Sequence, residues 1–373
     1  MVPQVTWPQA LAWRMKRHML DPIGGQPADE VVRRLCGVQA QVASSAELAV
    51  RVRQKASKPG DVGRALADGR LIKTWAMRGA LHLLTPEEGG ALLSLMASGR
   101  SWELPSWQRY FGMKVEHWDV LRAAVRQALD SRALTREDLV AAIVAEPGLD
   151  HLGDELRSGW GTLFKPLAWQ GELVYGPSDG NRVTFVRPEV ASSRWGGVPD
   201  PDEAAPTVIR SYLATYGPAT PANLRNWLSR GRIGARQVRS WFAHLGDQLA
   251  EVDLDGERAY VRAEDVEELA STEPTSAVRL LGGFDQYVLG PGTDDGRVVS
   301  AARRSAVSKQ AGWISPVVVA GGVVCGTWGV DRSTVRIDWF QENGQPRQRE
   351  LEAEVERLES ILRQPLEPAV SLA

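Results

Sequence analysis

The sequence predicts a mainly helical α+β protein: three tandem units of helices closed by a β-hairpin, then a β-rich C-terminal cap. Three observations lead there. A pattern of amphipathic stretches followed by strand-turn-strand recurs along the chain. Past Ser276 the texture changes to strands and glycine turns. At 373 residues the chain is also long for one core, so two to four modules of roughly 70 to 120 residues are expected.

The middle copy is the clearest. Val115 to Ser131 places Val115, Trp118, Val120, Leu121, Val125 and Leu129 close to helical spacing. Leu134 to Leu139 then starts a second helix capped by Thr135, with Glu137 and Asp138 in its first turn. A third helix is expected from about Asp154 through Trp169. Glu172 to Tyr175, a turn, and Arg182 to Val186 make a hairpin.

The third copy repeats the order with Thr207 to Tyr216, Thr220 to Leu228 and Ala235 to Leu245. Its strands, Leu249 to Leu254 and Arg258 to Val261, are joined at Asp255-Gly256. The first copy has helices near Gln9 to Met19, Ala28 to Leu35 and Val62 to Ala67. Its strands, Leu71 to Ala76 and Ala80 to Leu84, surround a Met77-Arg78-Gly79 turn. Val317 to Val324 reads as strand, and Gln348 to Leu362 as a terminal charged helix. Pro199 to Asp202 is a linker, and Ser101 to Gly112 a second join. The expected division is 1–100, 101–198, 199–272 and 273–373. Three helices and a hairpin are the layout of a winged helix, so DNA is the default partner, and three such units with a cap suggest a concave DNA-binding groove.

Composition narrows the function classes. With 43% hydrophobic and 24% charged residues the chain has the makings of real cores. No stretch suits a membrane span and Met1 to Trp7 lacks a signal pattern, which points to a cytoplasmic protein without membrane contact. Cys36 and Cys325 read as reduced core thiols. A net charge of −2 argues against binding nucleic acid by bulk charge, but the signs are unevenly placed. Cations dominate from Arg14 to Lys58 and acids from Glu251 to Glu273, so a polyanion would prefer the N-terminal half unless these are merely solvated faces.

Several catalytic classes fall away. Gly176-Pro177-Ser178-Asp179-Gly180 matches a nucleophile-elbow string, but a strand rather than a helix follows it, so it is a hairpin turn. No phosphate-loop, dinucleotide or zinc-protease motif is present, and the five histidines are dispersed, so neither metal nor cofactor is expected. What remains is Leu35 to Val42, which contains Gln39-Ala40-Gln41. Residues two apart share a side only on extended backbone, so the two glutamines can converge only if the preceding helix ends near Gly37. Alone, the string is commonplace and reads equally as a surface or capping pair.

Its context is specific. Gly37-Val38-Gln39-Ala40-Gln41, Met77-Arg78-Gly79-Ala80-Leu81-His82-Leu83, Phe284-Asp285-Gln286-Tyr287-Val288-Leu289-Gly290 and Trp313-Ile314-Ser315-Pro316-Val317-Val318, with Gly326-Thr327-Trp328, together resemble the AlkZ/YcaQ family of winged-helix DNA glycosylases. The likeness runs from about Ala10 to Trp339. In that family a Gln-apolar-Gln motif marks the AlkZ branch. The resemblance implies that Gln39 and Gln41 are catalytic, and that the substrates are alkylated purines in double-stranded DNA, including N7-alkylguanine adducts and interstrand crosslinks made by antibiotics. Ala80 and Gln286 stand where relatives often carry other polar residues, which touches substrate contacts rather than the reaction.

Arg78 and His82 on the first hairpin are candidate phosphate contacts, and Lys309 and Trp313 in the cap are candidate DNA-binding residues. Trp102, Trp107 and Tyr110 suit either stacking on an adduct or, more in keeping with aromatics generally, packing at a join. A monomer that works without cofactor is expected. The competing readings are a non-enzymatic winged-helix regulator and a protein that sequesters the free drug.

Overall fold

The computed structural model describes residues 2–373, so Met1, the first residue of the expected first module, lies outside them. The chain forms two compact units. One comprises 1–62, 209–227 and 245–373; the other comprises 63–208 and 228–244.

The first unit holds two sheets. Leu249–Leu254 and Glu257–Arg262 form an antiparallel hairpin whose turn residues, Asp255 and Gly256, have φ of 49° and 90°, the left-handed values that a tight two-residue turn requires. Gln4–Val5 joins as a parallel third strand, with Gln4 opposite Asp253, and the helix Trp7–Arg17 then seals Ala10 and Trp13 against Val252, Leu254 and Val261. Thr6 caps that helix in a reciprocal box with Gln9. The second sheet runs Val278–Leu281, Val317–Ala320, Val323–Asp331, Thr334–Trp339, Glu367–Leu372, antiparallel except for the last pair. The helix Gln348–Leu362, in register with its sequence expectation, buries Leu351, Val355 and Leu358 against this sheet.

The second unit is built on strands in the order Leu81–Leu84, Ile72–Trp75, Val174–Tyr175, Thr184–Val186, Leu134–Thr135. Lys73 pairs with Tyr175, so the hairpins of the first and middle copies share one sheet. The helix Val115–Ala128 and the Thr135-capped helix Arg136–Val144 appear as expected, with the Thr135 hydroxyl accepting the Asp138 N–H at 3.2 Å. Trp118, Phe164, Phe185 and Trp75 centre the core.

Four expectations need correction. The third helix of the middle copy is broken into Gly153–Arg157 and Phe164–Trp169. Gly161 between them has φ +61°, and a Cβ there would lie 2.5 Å from the Trp75 ring, so the chain bends to let that ring in. The presumed linker at Pro199 to Asp202 opens a helix, Pro201–Tyr216, which carries Pro206 inside it. Its start is anchored by the Trp241 indole N–H, which donates to the Asp202 carboxylate at 2.7 Å. The join at Ser101 to Gly112 is mostly helical, over Ser101–Glu103 and Pro105–Phe111. Two further helices, Ala43–Arg51 and Pro86–Ala97, were not expected.

Candidate active site

The segment carrying the two glutamines is shaped by the end of the helix Ala28–Arg34. Cys36 takes φ 54° and Gly37 φ 105°. The Gly37 N–H reaches back to the Val32 carbonyl (2.9 Å) and the Cys36 N–H to the Arg33 carbonyl (3.0 Å), the paired bonds of a left-handed C-terminal cap. The helix therefore stops where the sequence requires, and Val38–Gln39 is extended. Ala40 is buried; Gln39 on one side of it is 8% exposed, and Gln41 on the other is exposed at a bend before the helix Ala43–Arg51. One amide is thus held among packed atoms while the other faces solvent.

Residues far along the chain fix this turn. The Thr215 hydroxyl donates to the Arg34 carbonyl (2.6 Å) and the Tyr216 hydroxyl to the Leu35 carbonyl (2.7 Å), while Cys36 Sγ lies 3.6 Å from Thr215 Oγ1. The two hydroxyls satisfy the Arg34 and Leu35 carbonyls that the helix end leaves open. Behind Tyr216 sits His18, edge-on to Tyr216 and Tyr287 at 5.2 and 5.3 Å, and burial with the nearby Arg53 and Arg14 charges holds its imidazole neutral. Nothing local in the sequence marks Thr215 and Tyr216; only the tertiary fold brings them to the glutamine segment.

The cap strings converge on the same region of this unit. Asp285 and Arg53 form a fully buried two-pronged ion pair at 2.7 and 2.8 Å. A Cβ on Gly283 would lie 2.8 Å from the Ile314 carbonyl and 3.8 Å from Ser45 Oγ, so the Phe284 string, the Trp313 string and the helix following Gln41 meet here. Gln286, which stands where relatives often carry another polar residue, lies wholly inside the core. Lys309 and Trp313 do come together: the Lys309 N–H donates to the Trp313 carbonyl (2.8 Å) across a tip with left-handed Ala311 and Gly312. Lys309 is exposed, and Trp313, 49% exposed, leans edge-on against Phe284.

In the second unit, Arg78 occupies the hairpin tip with φ 59°. His82 is a correction: it is fully buried, its Nδ1–H donates to the Ala80 carbonyl (3.0 Å), and burial together with the Arg78 charge lowers its pKa to about 3. A side chain without solvent access cannot touch a phosphate. Trp102 stacks on Trp118 and Trp107 meets the same ring edge-on, so both are packing residues; Tyr110 is 71% exposed and rests edge-on against Phe111. Gly176 to Gly180 is a hairpin turn followed by the strand Thr184–Val186, as expected. Both cysteines are buried, and neither is in a disulfide. Among the described residues no three His, Cys, Asp or Glu side chains cluster as a metal site, and no helix is long and apolar enough to cross a membrane.

A mixed α+β fold with one buried and one exposed amide on either side of Ala40 defines a class once it is compared with known proteins. A sequence model described as DNA glycosylase AlkZ-like matches residues 32–361, and the chain belongs to that family: it is a DNA glycosylase, an enzyme that hydrolyses the N-glycosyl bond between base and sugar. Among particular relatives, it is 51% identical over 326 residues to an interstrand DNA cross-link repair glycosylase of Streptomyces sahachiroi, spanning 87% of this chain and 88% of the relative. The solved structure of Streptomyces sahachiroi DNA glycosylase AlkZ matches it with a TM-score of 0.95 at 46% identity, covering 99% of this chain and all of that one.

Proposed function

We propose that this enzyme releases alkylated purines from double-stranded DNA, chiefly bulky N7-alkylguanine adducts and interstrand crosslinks formed by a DNA-alkylating antibiotic, in repair and self-resistance. Gln39 and Gln41 carry the reaction. The observation behind this reading is the Gln-apolar-Gln segment, freed from its helix by the left-handed turn at Cys36-Gly37, with Gln41 open to solvent. The crosslink named for the 51%-identical relative supports the substrate class.

Most enzymes that cut glycosidic bonds use carboxylates to activate water and stabilise an oxocarbenium-like sugar. An amide cannot take up that proton. An N7-alkylated guanine, however, is already cationic and departs without acid help, so the remaining work is to position water and stabilise charge on the sugar. Side-chain amides can do both, by hydrogen bonds to water and by carbonyl dipoles aimed at C1′. As the C1′–N9 bond breaks, its electron pair neutralises the base; water adds to C1′ and its proton passes to solvent. No lysine stands near the Gln39-Ala40-Gln41 motif in sequence to form a Schiff base, so the reaction stops at base release without strand cleavage. Arg78, Lys309 and Trp313 contribute DNA contacts. The enzyme acts as a cytoplasmic monomer without cofactor.

The test is single-turnover excision from DNA carrying 7-methylguanine or a bulky N7 adduct. Gln39→Ala and Gln41→Ala are each expected to slow base release by at least about 10²-fold, in the range of a lost transition-state hydrogen-bonding group. Undiminished excision by both variants would remove the glutamines from the chemistry.

A further inference from the structure

In the second unit, the segment from Leu228 to His244 contains four arginines, Arg230, Arg232, Arg236 and Arg239, and no acidic residue. All four are exposed, and among the described residues none forms an ion pair with a carboxylate. Their placement is ordered. Left-handed Arg230 and Gly231, with φ of 52° and 79°, reverse the chain ahead of the helix Ala235–Leu245. That helix buries Val238, Trp241 and Phe242, which leaves Arg236 and Arg239, three residues apart, on its outer side.

A fifth cation joins from another part of the unit. Lys165 lies near enough to Arg232 for the two charges to oppose each other, and burial and that repulsion both lower its pKa. Its stem runs along the first hairpin turn: a Cβ on Gly79 would lie 3.6 Å from Lys165 Cδ and 3.9 Å from Nζ. The support beneath is rigid, because Phe164 is fully buried with Trp75 of the same hairpin stacked beside it at 6.3 Å. Among the described residues Lys165 too has no carboxylate partner. Like charges gathered without counter-ions repel one another, and the arrangement becomes favourable when an anion with regularly spaced charges lies across it.

We propose that Arg230, Arg232, Arg236, Arg239 and Lys165 form a phosphate-binding surface for the backbone of duplex DNA. The surface rests on the enzyme acting on DNA, but not on the glutamine assignment. It confers no sequence preference, since phosphate contacts position a duplex and do not read it. Each phosphate neutralised releases condensed counter-ions, so every lost contact flattens the dependence of log affinity on log salt by about 0.9.

The experiment measures binding of an undamaged duplex oligonucleotide by fluorescence anisotropy across a salt series. Arg236→Gln/Arg239→Gln is expected to flatten the slope by roughly two and Lys165→Gln by roughly one, uniformly across unrelated sequences, with Lys165→Arg keeping the parent slope. Because Arg236 and Arg239 are exposed, the double variant folds normally, which a melting curve verifies. Parent-like slopes in both the double variant and Lys165→Gln overturn the proposal. Excision by the glutamine variants is scored separately: a flattened slope with full excision by those variants sinks only the glutamine reading, and an unchanged slope with lost excision sinks only this one.

Discussion

Two basic segments of this enzyme look alike in sequence and differ in what they do. From Arg14 to Lys58 cations outnumber acids, yet most of that charge is consumed inside the first unit. Arg14 donates to the Gly217 and Pro218 carbonyls, Arg17 pairs with Asp265 and Glu268, Lys16 with Glu268, Arg51 donates to the Ile361 carbonyl, and Arg53 pairs with Asp285. The acidic stretch from Glu251 to Glu273 supplies two of those partners, Asp265 and Glu268. The expectation that the N-terminal half offers its charge to a polyanion is therefore corrected for these residues. From Arg230 to Arg239 there are fewer cations, but all are exposed and none meets a carboxylate among the described residues. A segment's charge count is thus a poor guide to its partner; what decides is whether the fold has already supplied the counter-charge.

That contrast can be sharpened by stability measurements. The largest effect is expected from Asp285→Asn, which leaves the Arg53 guanidinium buried with a neutral partner and should cost about 3–5 kcal/mol in urea unfolding. A loss below 1 kcal/mol would show that the pair is not internal. Acid should come next, acting on both units. In the unfolded chain an imidazole protonates near pH 6.5, whereas His82 resists until about pH 3 and His18 is shifted in the same direction. The unfolded state therefore binds more protons below pH 6.5. This stability is complete above that pH and falls as pH drops toward 3, by up to roughly 1.4 kcal/mol per unit for each histidine. Unfolding midpoints at pH 7, 6 and 5 check the slope, and a flat profile would contradict burial of the two rings. The smallest effect belongs to Arg236→Gln/Arg239→Gln, expected to leave stability within about 0.5 kcal/mol while binding to DNA weakens. A fall of 2 kcal/mol there would place those arginines in the same category as Arg17.

Local signals served the fold where local physics rules. The Thr135 cap needs only a hydroxyl three residues before an amide, the Asp255-Gly256 turn needs only residues that accept left-handed φ, and Gln348–Leu362 has a regular apolar stripe. The helix Pro86–Ala97 was hidden for the opposite reason. It is buried almost all round, so it has no amphipathic period. Its two glycines, normally helix-weakening, are there for close approach: a Cβ on Gly89 would touch Ile72 and Leu84, and one on Gly90 would lie 1.8 Å from the Gly197 carbonyl. At the candidate site the end of the helix before Gly37 was foreseeable from glycine alone. His82 was not, because alternation along a strand tells which side a residue takes and not whether that side is covered.

By itself the sequence determined the Thr135 cap, the Asp255-Gly256 hairpin, the end of the helix ahead of Gln39 and Gln41 and, through its strings, the likeness to DNA glycosylases, since each depends on residues within one turn or one motif. Only the tertiary structure decided that Thr215 and Tyr216 brace the glutamine turn, that Arg17 is met by Asp265, and that His82 is sealed away. Those outcomes join residues up to some 250 positions apart, and burial and charge pairing are properties of the neighbours a folded chain assembles, which no stretch of sequence carries within itself.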